Sequence, residues 1–307
     1  MAGLIPSLAL ALSSVPFAAS GSAAADRTGE TDIVTTATDA LQRMTVPVRI
    51  GGGGTYRFLV DTGAQNTVIS NELAARLALP ETGTALVMGV AGQVRVGVVT
   101  LDDLGLGRRN FGGLTAPMLK QNDIGADGIV GLDSLQKQRV VLDFRRGLIA
   151  IGDVEEERES GYDIVVHARR RSGQLIITQA RIDGVKVDVV IDTGSDSSIG
   201  NLALAAALAH RGPVTTGRLS SVTGQEIATE IAMSRELLIG PLKLQNVSIA
   251  YTDAPPFAAL GLAGRPAILL GMSELRAFKR VAIDFSERKI LFDFDLAEPD
   301  KPTGDRH

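Results

Sequence analysis

Two stretches of the chain share one pattern, an apolar run of β-branched and aromatic residues that stops at a carboxylate, a hydroxyl residue and a glycine. The first reads Phe58-Leu59-Val60-Asp61-Thr62-Gly63-Ala64 and the second Val189-Val190-Ile191-Asp192-Thr193-Gly194-Ser195. Runs of this kind predict buried strands, so each half sets one acid at a strand end. Behind Asp61 come Val68-Ile69 and a helical stretch from Asn71 to Leu77; behind Asp192 come Ile199 and a helical stretch from Asn201 to Leu208. A Gly-Gln turn between β-prone segments follows 31 residues after Asp61, at Gly92, and 32 after Asp192, at Gly224. Each half then runs through apolar residues into glycine, at Val130-Gly131 and at Leu270-Gly271, and closes on a strand with an acid inside, Val140–Phe144 and Val281–Phe285. Features recurring in one order are the sign of duplicated structure, and the chain reads as a tandem repeat.

The same patterning predicts a mainly β chain with one or two short helices in each half. Strands are expected near 45–50, 55–60, 86–91, 94–100, 140–144 and 148–151, then near 175–182, 185–191, 218–222, 226–232, 247–251, 281–285 and 289–293. The charged, turn-forming stretch from Asp153 to Gly161 separates the halves. The expected layout is a leader over 1–25, a linker over 26–42, a first lobe over 43–152, an inter-lobe linker over 153–171, a second lobe over 172–295 and a frayed tail over 296–307.

Composition narrows the picture. The 307 residues are 45% apolar and 21% charged, which supports real cores and argues against disorder. A net charge of −4 gives no reason to expect nucleic acid as a partner. Zero cysteines exclude disulfides, thiolate metal sites and a cysteine nucleophile. Residues Ala2 to Ala25 carry no charge, contain Leu8–Leu12 and end in Ser22-Ala23-Ala24-Ala25 before Asp26, as a signal peptide does. No basic n-region precedes it. Export, to a bacterial periplasm, is the expected location, with membrane contact only if this segment stays uncleaved.

Other features read more plainly as structure. Gly51–Gly54 lacks the Lys-Ser or Lys-Thr of a phosphate loop and precedes a β-prone run, so it predicts a hairpin turn. His167, His210 and His307 are scattered, with no zinc spacing. Ser70 and Ser195 sit in no Gly-x-Ser-x-Gly elbow. Asp143 and Asp284 precede turns, where a carboxylate bonds local backbone, and Arg169-Arg170-Arg171 suits a solvated strand edge.

The two Asp-Thr-Gly triplets inside a matched repeat, the apolar-apolar-Gly segments and the two glycine-bearing hairpins resemble those of aspartic peptidases of the pepsin and retropepsin superfamily, over about residues 43–295. The resemblance implies two retropepsin-sized β-barrel lobes fused in one chain, with short helices. Such a chain completes its site as a monomer and needs no metal or other cofactor. Ala64 and the short lobes are closer to the retropepsins than to pepsin, and neither hairpin carries the tyrosine of the pepsin flap.

Two carboxylates about 3 Å apart cannot both ionise and share a proton, as established for aspartic proteases. The ionised member takes a proton from water while the protonated one donates to the carbonyl oxygen under attack. Asp61 and Asp192 are the expected catalytic pair of an aspartic-type endopeptidase. Gly63 and Gly194 give the tight turns, and the resemblance makes Thr62 and Thr193 the braces between the loops. Ser195 has a hydroxyl that Ala64 lacks, which makes Asp192 the expected ionised member and Asp61 the expected proton holder. The tips Val90-Ala91-Gly92 and Val222-Thr223-Gly224 are the expected flaps, against which a protein or peptide substrate would lie as an added strand. A non-catalytic peptide-binding or scaffolding protein with the same cleft is the alternative. A two-carboxylate glycosidase suits tight loops poorly, because its acids stand about 5 Å or more apart.

Overall fold

The computed structural model describes residues 43–136, 138–152, 161–208 and 214–294, with the backbone strands Ala9–Leu12, Asp32–Thr35 and Ala37–Thr38. It is mainly β, built as two lobes on a shared central sheet. The expected cleavage site at 22–25, the break at 153–160 and the tail lie outside the described residues.

Each lobe assembles its acid-bearing strand in the same way. In the first, Thr55–Val60 pairs in parallel with Gly128–Val130, which lies antiparallel to Val68–Ser70, itself parallel to Leu114–Leu119. In the second, Val185–Ile191 pairs in parallel with Ala267–Leu270, which lies antiparallel to Ser198–Gly200, itself parallel to Leu242–Tyr251. Phe58, Leu59 and Val60, like Val189, Val190 and Ile191, are buried, so these strands carry apolar side chains on both faces without alternation. The duplication read in the sequence is therefore a duplication of topology. The expected helices are present as Asn71–Arg76, whose N-cap Ser70 accepts from the Leu73 amide, and Leu202–Leu208.

A six-stranded sheet joins the lobes. Its centre pairs Arg139–Asp143 antiparallel with Arg280–Asp284, and Val141 faces Ala282, its own counterpart in the repeat. Equivalent residues opposite each other mark a pseudo-twofold axis. One apolar cluster runs from Met44 and Val46 through Leu142 and Ile149 to Ile283 and Phe292, so the lobes share a core. Across this sheet Arg139 donates to Asp284 through Nε at 3.1 Å and Nη2 at 2.9 Å, both residues being buried. Asp284 also accepts from the Glu287 amide at 2.8 Å, and Asp143 from the Arg146 amide at 2.9 Å, the local backbone bonds expected of these acids.

Three stretches expected to be irregular contain strands. Ile164–His167, inside the presumed 153–171 linker, adds to the edge of the central sheet, with Ile164 and Val166 inward and Val165 and His167 outward. Within that stretch, Arg169–Arg171 pairs with Gln174–Ile182 as the exposed strand edge that its charge run suggested. Asp32–Thr35 completes the other side of the central sheet, Ala37–Thr38 pairs with Met44–Ile50, and Ala9–Leu12 pairs antiparallel with Glu81–Gly89. These segments are too short, or too charged, to show a period of their own. No helix among the described residues is long and apolar enough to cross a membrane.

Removing one partner of a buried ion pair leaves the other charge uncompensated. Arg139→Ala is expected to cost about 3–5 kcal/mol in denaturant titration. Arg218→Ala, at the exposed Arg218–Glu226 pair, is expected to cost less than about 1 kcal/mol.

Candidate active site

Each acid emerges where its strand hands over to a tight loop. The Asp61 amide donates to Val130 O at 3.1 Å and the Asp192 amide to Leu270 O at 3.0 Å, continuing the parallel ladders to the acids themselves. The loops then turn back on their own carboxylates. Asp61 Oδ1 accepts from the Gly63 amide at 2.7 Å and the Ala64 amide at 3.0 Å, while Asp192 Oδ1 accepts from the Gly194 amide at 3.1 Å.

The threonines tie the loops to each other. Thr62 Oγ1 donates to Ile191 O at 2.8 Å and Thr193 Oγ1 to Val60 O at 2.7 Å. Each hydroxyl also accepts the opposite threonine's amide, Thr62 N to Thr193 Oγ1 at 3.0 Å and Thr193 N to Thr62 Oγ1 at 3.2 Å. Hydroxyl donors and acceptors are thereby used at once across the axis. The Asp61 carboxylate lies directly on Gly194, where any Cβ would collide with it. Gln174, a lone glutamine with no sequence signal, supports the first loop from the second lobe by donating to Gly63 O at 2.6 Å.

The two carboxyls lie close enough for the Asp61 charge to act on Asp192, and both are buried. Burial, and then the Asp61 charge, push the Asp192 carboxyl well above the ordinary carboxylate range. This reverses the expected division of the proton. Ser195 Oγ donates to Ser197 O at 2.8 Å and leaves the Asp192 charge without a hydroxyl donor. Asp61 Oδ1 takes its two loop amides at 2.7 and 3.0 Å, whereas Asp192 takes the Gly194 amide at the longer 3.1 Å together with the Ser195 amide, so each loop gives its acid two backbone donors and the shorter bonds lie on Asp61.

A second network seats each loop on the glycine-led segment that passes through it. Leu132 N donates to Ala64 O at 2.9 Å and Asp133 N to Gln65 O at 3.1 Å; Met272 N donates to Ser195 O and Ser273 N to Asp196 O, both at 2.8 Å. Gly131 N donates to Thr67 Oγ1 at 3.2 Å and Gly271 N to Ser198 Oγ at 3.0 Å. Asp133 accepts from Thr67 N at 2.9 Å and Thr67 Oγ1 at 2.7 Å, whereas Glu274 accepts from Ser198 Oγ and from Ser273 Oγ at 2.7 Å. Burial raises both carboxyls. Sequence reasoning missed these residues. Their signal was a hydroxyl six positions after each aspartate, with an acid following each glycine.

The hairpin tips each reach into the opposite lobe. Glu81–Gly89 and Gly92–Leu101 form the first hairpin, and Val214–Ser220 and Glu226–Ile239 the second. Val90 is buried in the second lobe among Ile199, Leu219, Ala254 and Phe257. Val222 is buried in the first lobe among Leu59, Val68, Leu119 and Ile129. Ala91 and Thr223 sit in the turns. The tips touch: Gly92, at φ +145°, leaves Gln225 Oε1 only 2.6 Å from where a Cβ would stand. Gly224 turns at φ +76° against Asp123 of the first lobe.

Two outcomes follow. Thr193→Val strips donors and acceptors from Val60 O and Thr62 N and is expected to cost about 1–3 kcal/mol for each group left unpaired, read by chemical denaturation. Asp192 holds its proton more tightly folded than unfolded, so its contribution to stability is complete below the unfolded value of about 3.9 and is lost as pH rises through the folded value. Thermal melting should therefore find Asp192→Asn more stable than the wild type at neutral pH, with the advantage shrinking as pH falls toward about 4.

No curated protein matches the chain. The aspartyl protease family model matches it twice, over residues 46–134 and 178–273, each match containing one Asp-Thr-Gly loop. With a match in each lobe, together covering more than half of its length, the chain belongs to the aspartyl protease family.

Proposed function

We propose that the protein is an endopeptidase that hydrolyses peptide bonds of proteins or peptides with water activated between Asp61 and Asp192. The observation that carries this reading is the juxtaposition of two buried carboxyls, one from each lobe, on loops tied together by Thr62 and Thr193, with burial and the Asp61 charge holding the proton on Asp192. Asp61, ionised and braced by Gly63 N and Ala64 N, takes a proton from the attacking water. Asp192 gives its proton to the carbonyl oxygen, forming a tetrahedral diol; as the C–N bond breaks, Asp61 delivers its proton to the leaving amine and Asp192 recovers one from a diol hydroxyl. The dyad ends as it began, with one proton between two acids. Both acids come from one chain, so a monomer is sufficient.

A peptide substrate fits the hairpins best. The free edge of Glu81–Gly89 already takes an added antiparallel strand, Ala9–Leu12, with Ala9 opposite Gly89 and Leu12 opposite Leu86. Backbone pairing of this kind suits an extended peptide. The leader-like amino terminus supports action after export, in a periplasm.

The purified protein, incubated with a diverse peptide library from about pH 3 to about pH 8, should yield cleaved products by mass spectrometry. Asp61→Asn and Asp192→Asn should each lower the rate at least roughly 10³-fold. Cleavage that persists in either variant overturns the proposal.

A further inference from the structure

Asp133 and Glu274 are carboxyls that the proposed chemistry does not use. They occupy equivalent places, one beneath each aspartate loop, yet the halves reach that arrangement differently. The first lobe orders acid then hydroxyl, Asp133-Ser134, and the second orders hydroxyl then acid, Ser273-Glu274. The acid in the second lobe starts one position later and is one methylene longer. Both carboxylates nevertheless end on the equivalent hydroxyl, Thr67 or Ser198.

We propose that Asp133 and Glu274 are positioning residues for the two aspartate loops, acting through Thr67 and Ser198; the inference rests on the reading of Asp61 and Asp192 as the catalytic pair. A hydroxyl has a single proton to give. Delivered to the neighbouring carboxyl oxygen, it leaves the hydroxyl oxygen to receive Gly131 N or Gly271 N. Those glycines follow the residues whose carbonyls, Val130 O and Leu270 O, accept the Asp61 and Asp192 amides. The acid therefore fixes the hydroxyl, the hydroxyl fixes the glycine segment, and that segment fixes the strand end bearing the catalytic carboxyl.

The two clamps are unequal. Asp133 takes the loop backbone as well, through Thr67 N at 2.9 Å, whereas Glu274 takes the hydroxyls of Ser198 and Ser273. Loss of Asp133 should disturb its loop more than loss of Glu274.

The test compares Asp133→Asn, Glu274→Gln and the double variant Ser273→Asp/Glu274→Ser, which writes the first lobe's order into the second. Kinetics on a cleaved peptide should show kcat lowered roughly 10–100-fold in Asp133→Asn and about 10-fold or less in Glu274→Gln, with KM within about 2-fold, because misplacement of reacting groups acts on the chemical step. The double variant should keep at least about a third of the wild-type kcat, since it restores an acid to the clamp. Amide hydrogen exchange supplies a readout that needs no substrate: Gly63 and Ala64 should exchange about 10-fold faster in Asp133→Asn, with strands of the central sheet unchanged. Unchanged kcat and unchanged exchange in Asp133→Asn overturn the inference. So does faster exchange spread evenly over the whole core, which marks a merely structural role, or a double variant as impaired as Glu274→Gln. If the wild type cleaves no peptide, the proteolytic reading fails while the exchange result still decides this one.

Discussion

Four hydrogen bonds across the pseudo-twofold axis hold the centre of the molecule. Thr62 and Thr193 each give a hydroxyl proton to a carbonyl of the opposite strand and each receive the opposite amide. A hydroxyl suits the position because it is short, donates once and still accepts. Main-chain groups at the ends of two separate sheets are paired in this way, where a sheet ladder cannot reach. The acids next to them have no freedom left, and the Asp61 carboxylate comes to rest on Gly194 because nothing larger than hydrogen stands there.

The frame is symmetric and the proton is not. Topology, ladders and braces repeat from lobe to lobe, yet the amide bonds onto Asp61 are the shorter ones, and the second loop directs its serine hydroxyl to Ser197 O. Duplication thus supplies two equivalent acids, and burial together with the neighbouring charge keeps the proton on Asp192. In the proposed chemistry a general acid and a general base come from one residue type by environment alone.

Much of this was legible in the sequence, for physical reasons. Phe58–Val60 and Val189–Ile191 read as buried strands because their apolar runs are unbroken, and the triplets after them mark where the chain must turn. The strands Val68–Ser70, Gly128–Val130, Ser198–Gly200 and Ala267–Leu270 escaped notice because three or four residues carry no period, although the ladders to the acids depend on them. The Ser195 error has a different origin. Composition tells that a hydroxyl is near a carboxylate, whereas the acceptor it takes depends on backbone direction two residues later. The hairpin valines were read as facing a substrate, and their burial in the opposite lobe is a long-range contact that no local pattern encodes.

That exchange of valines makes the seating of the hairpins a joint property of both halves. Lifting Val90 uncovers the surroundings of Phe257, and lifting Val222 uncovers those of Ile129, so each movement wets apolar surface in the lobe it leaves. Separating either hairpin from the opposite lobe therefore works against the affinity of oily side chains for one another. Such an attraction weakens on cooling and responds little to salt at the concentrations that screen ion pairs. The contact between hairpins and lobes is therefore tuned by temperature, while the acids are tuned by pH.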